Sequence, residues 1–245
     1  MKKAIIPLCT CLFFILGCTK KEILPLEFKG DLKVKVYTSS EFGTPTNDKG
    51  NIDVALEGTD PEIKVATDTS GTVVINNLPL GTYNLVVSKE GYGTYKYQGF
   101  RFIGGSEPSN ISLSLTHKST TKIKSYHLSI SGTILTVSGI ISHQYPPPAI
   151  YSNILPGLVM YLSNSPEVSF TNYLDYYNFN ANQNNDTTFK TNMNAITSYF
   201  PSGSTIYTII YGRNRFGSYY YDPETGLYYD PNLGDPSEIQ SIVVP

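Results

Sequence analysis

Residues 32–36 read Leu32-Lys33-Val34-Lys35-Val36: every second side chain is apolar and every residue between is a lysine. A strand turns successive side chains to opposite faces, so this pattern describes a strand with one face buried and one in water. The same period returns downstream. Ile52, Val54 and Leu56 alternate with Asp53 and Glu57, Ile63 and Val65 follow, and the turn Asp68-Thr69-Ser70-Gly71 leads into Val73 and Ile75. Tyr83, Leu85 and Val87 come next, then Ile111, Leu113 and Leu115 between serines. About seven half-buried antiparallel strands are expected here. No segment sustains an apolar stripe of helical period, so the chain is expected to be all-β.

A second set of strands is expected beyond a Ser/Thr/Lys-rich linker at Lys118 to Lys122. Its runs are Leu128 with Ile130, Leu135 with Val137, Val159 with Tyr161, Val168 with Phe170, Phe189, Tyr207 to Tyr211, Tyr219 with Tyr221, and Ile239 to Val244. Pro146-Pro147-Pro148 interrupts them and marks a loop or an edge crossing, because proline cannot donate to a ladder. Tyr221-Asp222-Pro223-Glu224-Thr225-Gly226 has the chemistry of a hairpin turn between two tyrosine-rich strands. The chain's 245 residues suit two domains. The expectation is two β-sandwiches in series, at 30–118 and 123–245, behind a leader at 1–17 and a tether at 18–29.

That leader is Lys2-Lys3 followed by an apolar run from Ala4 to Leu16. The run is too short to cross a bilayer, which needs roughly 20 helical residues, so it reads as a cleaved signal peptide. Its end, Ile15-Leu16-Gly17-Cys18, resembles the lipobox of bacterial lipoproteins. The resemblance implies cleavage before Cys18, a diacylglycerol on its sulfur, and a membrane anchor in the cell envelope of a Gram-negative bacterium, with the outer membrane the expected site. Cys9 and Cys11 leave with the leader, so no disulfide or cysteine metal site is expected in the mature chain.

Two further resemblances bear on fold. Thr67-Asp68-Thr69-Ser70-Gly71, Leu78-Pro79-Leu80-Gly81-Thr82-Tyr83 and Ser88-Lys89-Glu90-Gly91-Tyr92 resemble the carboxypeptidase regulatory-like family, which implies a transthyretin-like (prealbumin-like) sandwich that spaces or stabilises a neighbouring domain. Phe200-Pro201-Ser202-Gly203-Ser204-Thr205-Ile206-Tyr207, with Tyr211, Asn214 and Gly217, is similar to the Pro-Gly-x-x-Tyr strand entry of fibronectin type III domains. It implies an immunoglobulin/fibronectin-III-like sandwich in which a tyrosine hydroxyl caps the loop before its strand. In this sequence Ile206 holds the usual tyrosine place, with Tyr207 one beyond.

Charge and motif content exclude several classes. Loss of Lys2 and Lys3 with the leader leaves sixteen basic against twenty acidic side chains, and no basic stripe occurs, so nucleic acid is not an expected partner. His117, His127 and His143 are isolated and no metal site is expected of them. There is no nucleophile elbow, phosphate loop or dinucleotide fingerprint, so neither catalysis nor a small-molecule cofactor is expected. Asp222 and Glu224 are a carboxylate pair that the turn itself explains. Asp175, Asp186 and the asparagines from Asn172 to Asn194 are oxygen-rich enough for calcium, yet lack an Asp-x-Asp-x-Asp-Gly loop and read as a solvated segment.

Tyrosine remains. Fifteen of the twenty tyrosines lie after Lys118, and the chain has no tryptophan. On the arms of the hairpin, Tyr219, Tyr220, Tyr221, Tyr228 and Tyr229 form a candidate ligand surface, since alternation turns some of these rings away from the core. Cross-strand aromatic pairing is the plainer reading of the same rings. The function expected is a non-catalytic envelope lipoprotein that binds protein or glycan. The alternatives are a fimbrial-type structural subunit that assembles by strand exchange, with Ile239 to Val244 as a candidate donor strand, and a carbohydrate-active accessory protein.

Overall fold

The computed structural model describes residues 28–143, 155–182, 187–195, 197–217 and 219–245. Cys18, nearly all of the tether, Pro146 to Pro148 and Asp186 lie outside the described residues. Every regular element among those described is a strand, and the strands form two β-sandwiches.

The lysine-alternating stretch is β1 (Lys29–Ser39), at the centre of a three-stranded sheet. It pairs antiparallel with β4 (Thr72–Pro79) and parallel with β7 (Ser109–Thr116). The opposing sheet runs in the order β3 (Ile63–Ala66), β2 (Asp53–Glu57), β5 (Gly81–Ser88), β6 (Tyr95–Phe102). Leu32, Val34 and Val36 meet Val54, Leu56, Leu85 and Val87 in one apolar core, as the period of two requires. The turn motif has a direct physical account. The Asp68 carboxylate accepts from the Ser70 and Thr72 backbone N–H groups at 2.8 and 2.9 Å. Gly71 has φ of 81°, and a Cβ there would lie 2.5 Å from the Val36 carbonyl oxygen that it faces across the sheet. The Tyr83 hydroxyl donates to the Pro79 carbonyl at 2.8 Å, which ties Leu-Pro-x-Gly-x-Tyr into a corner. β6, absent from the runs expected, alternates Tyr95 and Tyr97 with Lys96 and Gln98, and after a register shift near Gly99 it sets Phe100 and Phe102 on either side of Arg101.

In the second sandwich β8 (Lys122–Ser131), β9 (Ile134–Ser142) and β12 (Thr188–Asn194) form one sheet. The other has the order β11 (Asp175–Asn180), β10 (Gly157–Ser163), β13 (Thr205–Arg213), β16 (Gln240–Val243). Three strands against four, around Leu135, Val137, Leu158, Met160, Phe189 and Ile210, make the immunoglobulin/fibronectin-III-like arrangement. β16 lies in its own sheet against β13, with Val244 buried beyond it. A hairpin of β14 (Tyr220–Asp222) and β15 (Leu227–Tyr229) is inserted between β13 and β16.

Three expectations are corrected. Val168 and Phe170 are not in a strand; they sit in a loop that lays Val168, buried, over the outer face of β10 and β13. The asparagine-rich stretch is not wholly solvated loop, because Tyr177 and Phe179 turn inward from β11 and outweigh the asparagines beside them. The hydroxyl that closes the lower loops belongs to Tyr126 on β8: it donates toward the Thr208 and Glu238 carbonyls and accepts from Gln240 N–H at 3.0 Å. Tyr207 instead packs on the outer face, while Ile206 enters the core.

The linker is also no loose tether. Ser119 and Thr121 are buried, and Ser119 N–H donates to the Asn232 carbonyl at 2.9 Å. Asn232 Nδ2 donates to the Thr116 carbonyl at 2.5 Å, and Asn214 Nδ2 to the His117 carbonyl at 2.7 Å. The Glu41 carboxylate accepts from both the N–H and the hydroxyl of Thr120. Gly93 closes this joint: a Cβ would lie 2.3 Å from the Pro231 carbonyl oxygen.

Candidate functional site

Strand β10 is buried at all seven positions, whereas β1 is buried only at alternate ones. Leu158, Met160 and Leu162 enter the sandwich core, so Val159 and Tyr161 face outward and must be covered from the other side. The cover is supplied by the loop carrying Val168 and Tyr173 and by the long excursion between β13 and β16, which brings Leu233 and the hairpin. The fit is incomplete and leaves a cavity of about 370 Å³. Val159 and Tyr161 of β10, Tyr176 and Asn178 of β11 and Arg213 of β13 form its floor. Tyr173, Tyr219, Tyr228, Tyr229 and Asp230 form its rim.

The rings form a connected set. Tyr161 lies 4.8 Å from Tyr173, 5.8 Å from Tyr211 and 6.2 Å from Tyr176, centroid to centroid. These spacings and the angles between the ring planes are those of edge and tilted aromatic packing. Burial first, and then the Asp230 carboxylate, push the Tyr161 hydroxyl far above its ordinary value, so it remains a neutral hydroxyl throughout the physiological range. The Tyr173 hydroxyl donates to the Tyr228 carbonyl at 3.3 Å and joins loop to hairpin.

Arg213 Nε donates to Asp230 Oδ2 at 2.8 Å. Burial raises the Asp230 carboxyl above its ordinary value, and the Arg213 guanidinium pulls it part of the way back. Asp230 also accepts from Asn232 N–H at 3.1 Å, so the cavity wall is fixed to the joint two residues away. The charged pair is mutually compensated, leaving a cavity with polar walls and no net charge from its lining.

The five expected tyrosines divide. Tyr219, Tyr228 and Tyr229 line the cavity, and Tyr221 stands on the outer face of the hairpin. Tyr220 shares a face with Tyr229 but does not line the cavity: it stacks on Tyr229 at 5.5 Å and lies near Lys96 of the first sandwich, whose charge works against the upward push of burial on its hydroxyl. Tyr161, Tyr173, Tyr176, Asn178, Arg213 and Asp230 were not expected. Alternation along β10 signals Tyr161, but its loop cover is nonlocal. Asp222 serves the turn, its carboxylate accepting from Glu224 N–H at 2.9 Å. Among the described residues no cluster of His, Cys, Asp and Glu is able to hold a metal.

No family model matches this sequence, and no curated protein matches it. Solved structures do align with it at low similarity. A protein of Bacteroides uniformis provisionally described as carbohydrate-binding has 10% identity and a TM-score of 0.35, over 88% of this chain and 100% of that one. A DUF3823 family protein of Bacteroides ovatus has 12% identity and a TM-score of 0.34, over 89% and 100%. Another, from Parabacteroides merdae, has 14% identity and a TM-score of 0.33, over 88% and 99%. Likeness at this level assigns no function.

Proposed function

We propose that this chain is a non-catalytic binding module whose outer cavity on the second sandwich takes a neutral saccharide. The observation that carries this reading is the lining itself: six tyrosines, one asparagine and one self-compensated Arg–Asp pair around about 370 Å³. A pyranose ring has an apolar face and a fringe of hydroxyls. Tyrosine faces match the former, while Asn178, Arg213 and Asp230 offer donors and acceptors for the latter. The volume falls within the range of about 300–1,000 Å³ that small-molecule sites occupy. The first sandwich then acts as a spacer and as a mount for the cavity wall. Its carboxypeptidase regulatory-like motifs support that role, and the Ile-Leu-Gly-Cys18 end of the leader supports an anchor in the outer membrane.

Calorimetric titration with a panel of neutral and acidic glycans tests the site. The expected result is binding of a neutral sugar, weakened at least severalfold by Tyr228→Ala and by Asn178→Ala. Binding that ignores both substitutions, or confined to acidic sugars, would contradict the reading. Palmitate labelling that survives Cys18→Ala would remove the anchor.

A further inference from the structure

The hairpin carries more exposed aromatic surface than the cavity uses. Tyr219, Tyr228 and Tyr221 are 62%, 50% and 48% exposed, and their rings follow one another at centroid spacings of 6.2 and 5.2 Å. Tyr219 and Tyr228 belong to the cavity rim, and Tyr221 does not. The three rings form a continuous strip that starts in the cavity and leads out along the hairpin toward the turn at Asp222. Tyr221 and Tyr228 are a cross-strand pair of the hairpin, but the strip is not its only brace. Tyr220 and Tyr229 already stack across the inner face, and Gly226 N–H donates to the Asp222 carbonyl at 2.8 Å to close the turn. Contiguous large apolar side chains left in water mark a contact surface more often than scattered ones do.

We infer that the occupant is an oligosaccharide longer than the cavity, with one unit among Tyr161, Tyr176 and Tyr228 and the next lying across Tyr228 and Tyr221. This inference rests on the saccharide reading of the cavity and adds a second subsite to it. Its chemistry follows from the strip: exposed rings with centroids 6.2 and 5.2 Å apart, tilted 67° and 53° to one another, hydroxyls at their rims, and no charged side chain among the three. Such a strip reads length rather than the identity of the terminal sugar, because stacking tolerates different hydroxyl patterns while the cavity's polar groups do not.

The test is titration of the full mature chain with glucose and mannose and with their linear oligomers of two to four units: cello-, malto- and manno-oligosaccharides. In the series that binds, affinity is expected to rise roughly five- to tenfold between the monosaccharide and the longer oligomers. Tyr221→Ala is expected to bring the ratio of oligomer to monosaccharide affinity close to one, and Tyr221→Phe, which keeps the ring, to preserve most of it. Binding that is flat with chain length, or a ratio unchanged by Tyr221→Ala, would overturn the inference and leave the cavity reading standing. No binding in any series would overturn both.

Discussion

The two sandwiches solve the same problem with opposite economy. In the first, the central strand β1 presents Leu32, Val34 and Val36 to one core and lysines to water. In the second, the central strand β10 is buried on both faces, because a loop and a long excursion fold over what would otherwise be the wet side. An antiparallel sheet needs only one buried face. Covering the second face buries tyrosines that add little to the main core, and the cover closes around a cavity instead of filling it. The difference puts the cavity, the proposed ligand site, on the elaborated sheet.

The largest effects should come from the two cores. Phe189 and Leu85 are fully buried in the second and the first sandwich respectively. Phe189→Ala is expected to cost about 3–5 kcal/mol and Leu85→Ala about 2–5 kcal/mol, by loss of transfer energy and the cavity left behind. Calorimetry should show one unfolding transition in the parent chain, lowered by either substitution, because the joint couples the halves through buried hydrogen bonds. Two separate transitions in the parent would break that coupling.

Gly93→Ala attacks the joint alone. A Cβ placed 2.3 Å from the Pro231 carbonyl forces the excursion away from the first sandwich. Overpacking of this kind costs about 1–3 kcal/mol. The expected signature is a split of the single transition into two, with weaker ligand binding because Asn232 and Asp230 shift together. An unchanged transition and unchanged binding would show that the cavity wall does not depend on the joint.

The smallest effect separates two carboxyls. Asp68 is held below its ordinary value of 3.8, first by the Ser70 hydroxyl and then by the Thr72 N–H. Its contribution to stability is therefore present above 3.8 and lost as pH falls through the lowered midpoint. Asp230 is raised above 3.8 by burial, so its contribution is present below 3.8 and lost as pH rises through the raised midpoint. Carboxyl carbon NMR should find the two midpoints on opposite sides of 3.8. Coincident midpoints would mean that Asp230 is solvated and the cavity wall open.

Much of this was legible in residues close together in sequence. Alternation at Leu32 to Val36, the Asp68 to Gly71 turn and the Asp222 to Gly226 turn are local patterns with local causes, and they yielded the all-β class and the hairpin. What the sequence hid was nonlocal. Tyr161 and Arg213 read as ordinary strand residues until Val168, Leu233 and the hairpin are folded over them. Asn232 and Gly93 acquire meaning only by meeting across two domains. β11 was concealed by its own asparagines, since Tyr177 and Phe179 are too few to announce a period in a polar stretch.

Fluorine NMR of the protein carrying 3-fluorotyrosine, titrated with the neutral oligosaccharides, tests the central claim most directly. The account predicts that the resonances of Tyr173, Tyr176, Tyr219 and Tyr228 move on binding while those of Tyr37 and Tyr97, exposed on the first sandwich, stay in place. Shifts confined to the first sandwich, or none at all, would contradict it.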